Sequence, residues 1–238
     1  MATIIIPARL SSSRLPQKLI QRIKGKEVLL HLCDRIRALE LDHELIVCTD
    51  SSYIEELVQQ NTTLRVLRTN DEFKNGTERC AWAVQKSEDD IIINIQGDEM
   101  MCEFSHVSSL IKIMDANPNY QIATLIAPMK PDQYDDRSVV KAQVDSNNNA
   151  IDFVRYSYVV SQNFYSHIGV YAYRKHALQA ITNLPVSFRE EQNSLEQLRW
   201  LDAGYQIHCH VVDDYYRSIN TLTDLRLLRE CDRIHGLL

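Results

Sequence analysis

Apolar residues in this chain recur at two spacings that alternate along its first half. Thr3–Pro7 is a short apolar run and reads as a buried strand. Val28–Glu40 places apolar residues three and four apart, which predicts a helix with one buried face. The alternation continues with a strand at Glu44–Thr49, a helix at Tyr53–Gln60 and a short strand at Arg65–Leu67. A third helix is expected at Thr77–Lys86, with capping residues in Asn75-Gly76-Thr77. Ile91–Gln96 reads as a continuous apolar strand that ends at Gly97-Asp98, and His106–Asp115 as a helix closed by Asn117-Pro118. Short apolar strands separated by helices imply a parallel sheet covered on both faces.

The rhythm then changes. Ile122–Ala127, Val139–Val144 and Ala150–Val154 read as strands, and Asp145-Ser146-Asn147-Asn148-Asn149 is a hairpin turn. A strand at His167–Tyr173, helices at Lys175–Thr182 and Leu195–Ala203, a strand at Ile207–Val212 and a helix at Thr221–Arg229 complete the pattern. Residues 1–238 are read as one α/β domain with a β-rich excursion at about 130–165.

Charge adds a local asymmetry. Six cations, Arg9, Arg14, Lys18, Arg22, Lys24 and Lys26, precede the first acidic residue, Glu27, in a chain of net charge −6. A strand opening into the loop Ala8–Lys18, rich in Ser, Arg and Lys, suits a polyphosphate, because backbone amides, hydroxyls and cations converge there. The anionic total argues against a nucleic-acid partner. No apolar stretch is long enough for a bilayer, so no membrane partner is expected and the location read is cytoplasmic. The six cysteines form no Cys-x-x-Cys pair and read as buried free thiols.

In an open parallel sheet, ligands bind where strands end. Two loops qualify: Ala8–Lys18 and Gln96-Gly97-Asp98-Glu99. Asp98 at a strand tip is a candidate Mg²⁺ ligand beside phosphates. A solvated cationic face and a capping aspartate are the competing structural reading. The chain contains neither a Walker loop nor Gly-x-Gly-x-x-Gly, which leaves dinucleotide binding without support.

Six segments appear in a meaningful order: Pro7-Ala8-Arg9 with Ser12, Arg14-Leu15-Pro16 and Lys18; Asn75-Gly76-Thr77-Glu78-Arg79; Asn94-Ile95-Gln96-Gly97-Asp98-Glu99; Val139-Val140-Lys141; Phe153-x-Arg155 with His167-Ile168-Gly169-Val170-Tyr171; and Leu195-Glu196-Gln197-Leu198-Arg199. The set resembles the 3-deoxy-manno-octulosonate cytidylyltransferase family of sugar-acid cytidylyltransferases over nearly the whole chain. The resemblance implies a three-layer α/β/α nucleotide-diphospho-sugar-transferase-like fold, with a mainly parallel sheet and a β-rich dimerisation excursion. It also implies transfer of CMP from CTP to the anomeric hydroxyl of 3-deoxy-manno-octulosonate or a related ulosonic acid, release of pyrophosphate, Mg²⁺ as cofactor, a homodimer and a place in lipopolysaccharide biosynthesis.

Carried over by residue, Arg14, Lys18 and Asp98 are catalytic. Arg9, Ser12, Ser13, Asn75, Gly76, Thr77, Arg79 and Gln96 bind the nucleotide. Arg155, His167, Glu196 and Gln197 face the sugar, with His167 offering hydrogen bonds to sugar hydroxyls or the carboxylate. Asp98 and Asn220 hold the metal. Four features depart from the family pattern. Asn220 stands where the family has a metal-binding aspartate, Gln17 and Met100 replace a glycine and a proline, and the segment between Arg155 and His167 is short. Asn220 leaves a second reading open, a weakly active nucleotide-binding paralogue that serves as a partner or regulator.

Overall fold

The computed structural model describes residues 1–12, 15–37, 43–70, 73–156, 164–213 and 215–230. In chain order the elements are β1 (Ala2–Ala8), β2 (Arg22–Ile23), β3 (Lys26–Glu27), α1 (Val28–Arg37), β4 (Glu44–Thr49), α2 (Ser52–Asn61), β5 (Arg65–Arg68) and α3 (Gly76–Ala83). Then come β6 (Ile91–Ile95), α4 (Phe104–Ala116), β7 (Ile122–Pro128), β8 (Lys141–Val144), β9 (Ala150–Val154) and β10 (Phe164–Arg174). The chain continues with α5 (Lys175–Ile181), α6 (Phe188–Asn193), α7 (Gln197–Asp202), β11 (Ile207–Val211) and α8 (Leu222–Glu230).

The main sheet runs β11-β7-β10-β6-β1-β4-β5. β1 pairs in parallel with β4 and β6, β4 with β5, and β7 with β11. β10 lies antiparallel between β6 and β7, and its first residues also pair with β8. The segment read as β-rich folds as the hairpin β8–β9, closed by the expected Asp-Ser-Asn-Asn-Asn turn. There the Asp145 carboxylate accepts the amides of Asn147 and Asn149, both at 2.8 Å.

The apolar runs in β1 and β6 follow from a sheet covered on both faces. Ile4, Ile6, Ile93 and Ile95 pack against α1, α2, α4 and α8, whereas Ile5 and Ile92 point to the opposite layer with α3, α5 and α7. All six isoleucines are at most 0% exposed. Each contributes about 1.5–3 kcal/mol by leaving water, so the strand tips are held by the most deeply buried part of the chain.

The Gly25-Lys26 pair reads as a turn, and Lys24 (φ 50°) and Gly25 (φ 86°) are the left-handed central residues of the two-residue hairpin β2–β3. Two local features depart from expectation. Helix α6 was not expected, because Phe188-Arg-Glu-Glu-Gln-Asn has no apolar periodicity and Phe188 is exposed. It is held from its start by the Ser187 hydroxyl, which accepts the Glu190 amide. Helix α7 begins at Gln197 rather than Leu195. The thiols of Cys33, Cys48, Cys80, Cys102 and Cys209 are buried and free; Cys231 lies outside the described residues. The segment between Arg155 and His167, read as short, also falls largely outside them.

Candidate active site

Because β1 and β6 are parallel neighbours, their outgoing loops leave the same edge of the sheet. β10 runs the other way, so its first half meets them there. α3 brings its N-terminus to the same edge. The resulting cleft has a volume of about 650 Å³. It is lined by Arg9, Ser12, Lys18, Asn75, Gly76, Arg79, Gln96, Asp98, Arg155, His167, Glu196, Gln197 and Asn220, which are thirteen of the residues singled out from sequence. Ser13 and Arg14 lie outside the described residues.

At the centre the Lys18 ammonium forms a short ion pair with the Asp98 carboxylate. The two groups come from the loops after β1 and β6, and both are mostly shielded from water. Two other leader cations are used locally: Arg22 pairs with Glu27 at 2.7 Å and Lys26 with Asp34. The cationic leader therefore divides, with Arg9 and Lys18 in the cleft and the hairpin cations outside it. Gln17, just before Lys18, is left-handed at φ 53°, which explains why the family pattern has glycine there.

The residues expected to bind the nucleotide build a close-fitting wall. A Cβ on Gly76 would lie 3.0 Å from Pro7 and 3.1 Å from the Gln96 side-chain oxygen, so only glycine lets α3 approach this closely. The Asn75 side chain accepts the Glu78 amide at 2.8 Å and starts the helix. Two of these residues are engaged by partners within the fold. Thr77 is buried and does not line the cleft; its hydroxyl donates to Glu196 Oε1 at 2.6 Å. Arg79 is also buried, and its guanidinium is held by Asp50 at 2.6 Å and by the Thr69 hydroxyl. Thr77 thus supports the pocket from behind its wall, and Arg79 lines it with its guanidinium already engaged.

On the opposite wall, Arg155 donates to the carbonyls of Asn193 (3.1 Å) and Ser194 (3.3 Å), which fixes the end of α6 beside α7. His167 has its Nε2 at 3.0 Å from the Thr124 hydroxyl. That hydroxyl has one proton and donates it to the Val170 carbonyl at 2.9 Å. His167 therefore donates from Nε2 and keeps Nδ1 as an acceptor. Burial pushes the imidazole pKa down to about 3, so the ring is neutral. A neutral ring with an acceptor nitrogen suits a sugar hydroxyl. Glu196 is pushed up to about 7 by burial, against the opposing Thr77 hydrogen bond and the nearby Arg199. Arg199 itself pairs with Glu190 at 2.6 Å.

Glu99 was quoted in a motif but given no role by the sequence. It is buried in the cleft wall, with Oε1 accepting the Gly169 amide at 3.2 Å and Oε2 buried without a partner among the described residues. Burial, reinforced by Asp98, pushes its pKa up to about 8. A Cβ on Gly169 would come within 2.6 Å of Oε1, so the glycine makes room for this carboxyl.

The two residues expected to hold a metal, Asp98 and Asn220, both line the cleft. The Ile219 amide donates to the Asp98 carbonyl at 3.1 Å, which brings Asn220 beside Asp98. Asn220 Nδ2 donates to the Ser218 hydroxyl at 2.9 Å, leaving its carbonyl oxygen available. Among the described residues no three His, Cys, Asp or Glu side chains gather as a complete metal site. One carboxylate and one amide oxygen fit Mg²⁺, which keeps water and takes further oxygens from substrate phosphates.

The described helices include none long and apolar enough to cross a membrane. The profile of the cytidylyltransferase family matches residues 3–207. A 3-deoxy-manno-octulosonate cytidylyltransferase from Chlorobium phaeovibrioides is 33% identical over 237 residues, covering 96% of each chain. One of the same name from Parabacteroides distasonis is 36% identical, covering 93% of this chain and 94% of that one. A structure of CMP:2-keto-3-deoxy-manno-octonic acid synthetase complexed with CTP superposes with a TM-score of 0.89 at 33% identity, covering 100% of this chain and 99% of that one. HddC from Yersinia pseudotuberculosis, at 17% identity and a TM-score of 0.70, shares the fold. With the mainly parallel three-layer architecture and the shared cleft, these likenesses make the chain a member of the cytidylyltransferase family.

Proposed function

We propose that the protein is a 3-deoxy-manno-octulosonate cytidylyltransferase: the anomeric hydroxyl of the sugar acid attacks the α-phosphorus of CTP, and pyrophosphate leaves. The observation that carries this reading is the Lys18–Asp98 contact, which joins a cationic loop and a strand-tip carboxylate across one cleft. The likeness to relatives named for this reaction, at about a third identity over nearly the full chain, supports the choice of substrate.

The difficulty of the reaction is charge, since an anionic sugar acid must approach an anionic triphosphate. Lys18 and Arg9 would lie along the triphosphate with Ser12, and Arg14 belongs to the same loop in sequence. Cations placed before the reaction occurs stabilise the developing charge without reorganisation. Asn75, Gly76 and Gln96 would face the cytidine. Gln197 and Glu196 would face the acceptor, and His167 Nδ1 would accept a sugar hydroxyl. Asp98 and the Asn220 carbonyl would hold Mg²⁺, which supplies charge neutralisation at phosphate oxygens. The same reading carries a homodimer, a cytoplasmic location and a role in making a lipopolysaccharide precursor.

The test is pyrophosphate release from CTP with Mg²⁺ and 3-deoxy-manno-octulosonate. Release with that acceptor is the expected result. Turnover with only a different ulosonic acid would reassign the acceptor. An absence of release across octulosonic and nonulosonic acids would overturn the proposal. Light scattering checks the dimer.

A further inference from the structure

Between Tyr215 and Thr221 the chain has no helix or strand, yet it carries Asn220 into the cleft. A set of hydrogen bonds from Asp224 fixes it there. Asp224 is buried, 1% exposed, and one of its oxygens accepts the Asn220 amide (3.0 Å), the Thr221 amide (2.7 Å) and the Thr221 hydroxyl (2.8 Å). Its other oxygen accepts Arg217 Nη1 at 3.2 Å. The same nitrogen reaches the Asp136 carboxylate at 2.7 Å.

Asp136 belongs to the loop before β8. Lys141, itself buried, holds that loop by donating to the carbonyls of Asp136 (2.6 Å), Val139 (3.0 Å) and Arg155 (3.0 Å). Arg155 in turn donates to the Asn193 and Ser194 carbonyls. A continuous polar chain thus runs from Asn220 to the wall that holds Glu196 and Gln197. Arg217 is its joint, a single cation between two carboxylates that would otherwise repel each other. No sequence motif pointed to Arg217.

We propose that Arg217 is a positioning residue: it holds the Asn220 loop against Asp98 and ties that loop to the acceptor wall. Naming the two ends as metal-nucleotide and acceptor sites rests on the cytidylyltransferase reading. The joint itself is tested without turnover.

Calorimetry would measure CTP binding to the wild type and to Arg217→Met, each with Mg²⁺ and with a chelator. The expected result is that the affinity gained from Mg²⁺ falls about tenfold, equivalent to about 1.4 kcal/mol, while affinity in chelator stays within about twofold of wild type. Asp136→Asn should give a similar loss, and the double variant no greater one, because both cut one joint. Arg217→Lys should recover part of the gain by restoring a charge. In turnover with Mg²⁺, kcat should fall and the KM values for both CTP and the acceptor should rise.

An Arg217→Met protein that melts earlier but keeps the full Mg²⁺ gain would overturn the proposal, as would additive losses in the double variant. So would a wild type whose CTP affinity is indifferent to Mg²⁺. If Arg217→Met fails to fold, Asp136→Asn and Arg217→Lys decide the question in the same way. If the wild type uses no ulosonic acid, the binding data still decide Arg217, and only the functional reading falls.

Discussion

Replacing Lys18 by methionine separates what its charge does for the fold from what it does for the reaction. In the folded chain its ammonium pairs with Asp98, and the two side chains are 19% and 14% exposed. Removing the cation leaves Asp98 partly buried and next to Glu99, a second buried carboxyl. Hydrogen bonds to charged groups contribute about 1.5–3 kcal/mol, so Lys18→Met should lose about 1–3 kcal/mol in urea unfolding. Asp98→Asn added to Lys18→Met removes the orphaned charge and should return most of that stability. Activity should behave differently. Loss of one preorganised electrostatic group commonly costs about 10²–10³ in rate, so kcat/KM for CTP, followed by pyrophosphate release, should fall by about that factor in Lys18→Met. In the double variant it should not recover. If Lys18→Met keeps kcat/KM within about threefold of wild type, or if stability and activity recover together, Lys18 is a structural ion-pair partner and the catalytic reasoning is wrong.

Glu99 predicts a pH effect. Its pKa is raised to about 8, so the folded protein binds a proton that the unfolded chain releases; the stability this provides is complete below the ordinary carboxylate value of 4.5 and is lost as pH rises toward 8. Glu99→Gln should therefore gain stability over wild type near pH 8–9, by a few kcal/mol at about 1.4 kcal/mol per displaced unit, and gain little near pH 4; thermal unfolding across that range checks it. Asn220→Asp should lower the Mg²⁺ concentration for half-maximal turnover about tenfold by adding a charge beside Asp98, and an unchanged requirement would exclude Asn220 from the metal shell. Gln17→Gly should raise stability by roughly 0.5–1 kcal/mol, because relief of the left-handed conformation outweighs the extra freedom of glycine in the unfolded chain; chemical denaturation would show a higher midpoint at an unchanged slope.

The sequence by itself indicated most of the order of the elements and which two loops would border the cleft. Buried strands such as Ile91–Ile95 must be apolar on both faces, and loops at strand ends must carry the polar chemistry, so both leave a direct mark on residue type. Helix α6 left no such mark, because its stability comes from a cap and from Arg155 gripping its last carbonyls. Only the tertiary structure decided how the named side chains are used. Thr77 and Arg79 carry groups able to bind a nucleotide, but partners distant in sequence, Glu196 and Asp50, have already engaged them. His167 became a neutral acceptor through Thr124, 43 residues away in the chain. Arg217 gained its place from two carboxylates on separate parts of the fold, Asp136 in the loop before β8 and Asp224 in the first turn of α8. Hydrogen-bond partners and burial are properties of packing, and no spacing along the chain encodes them.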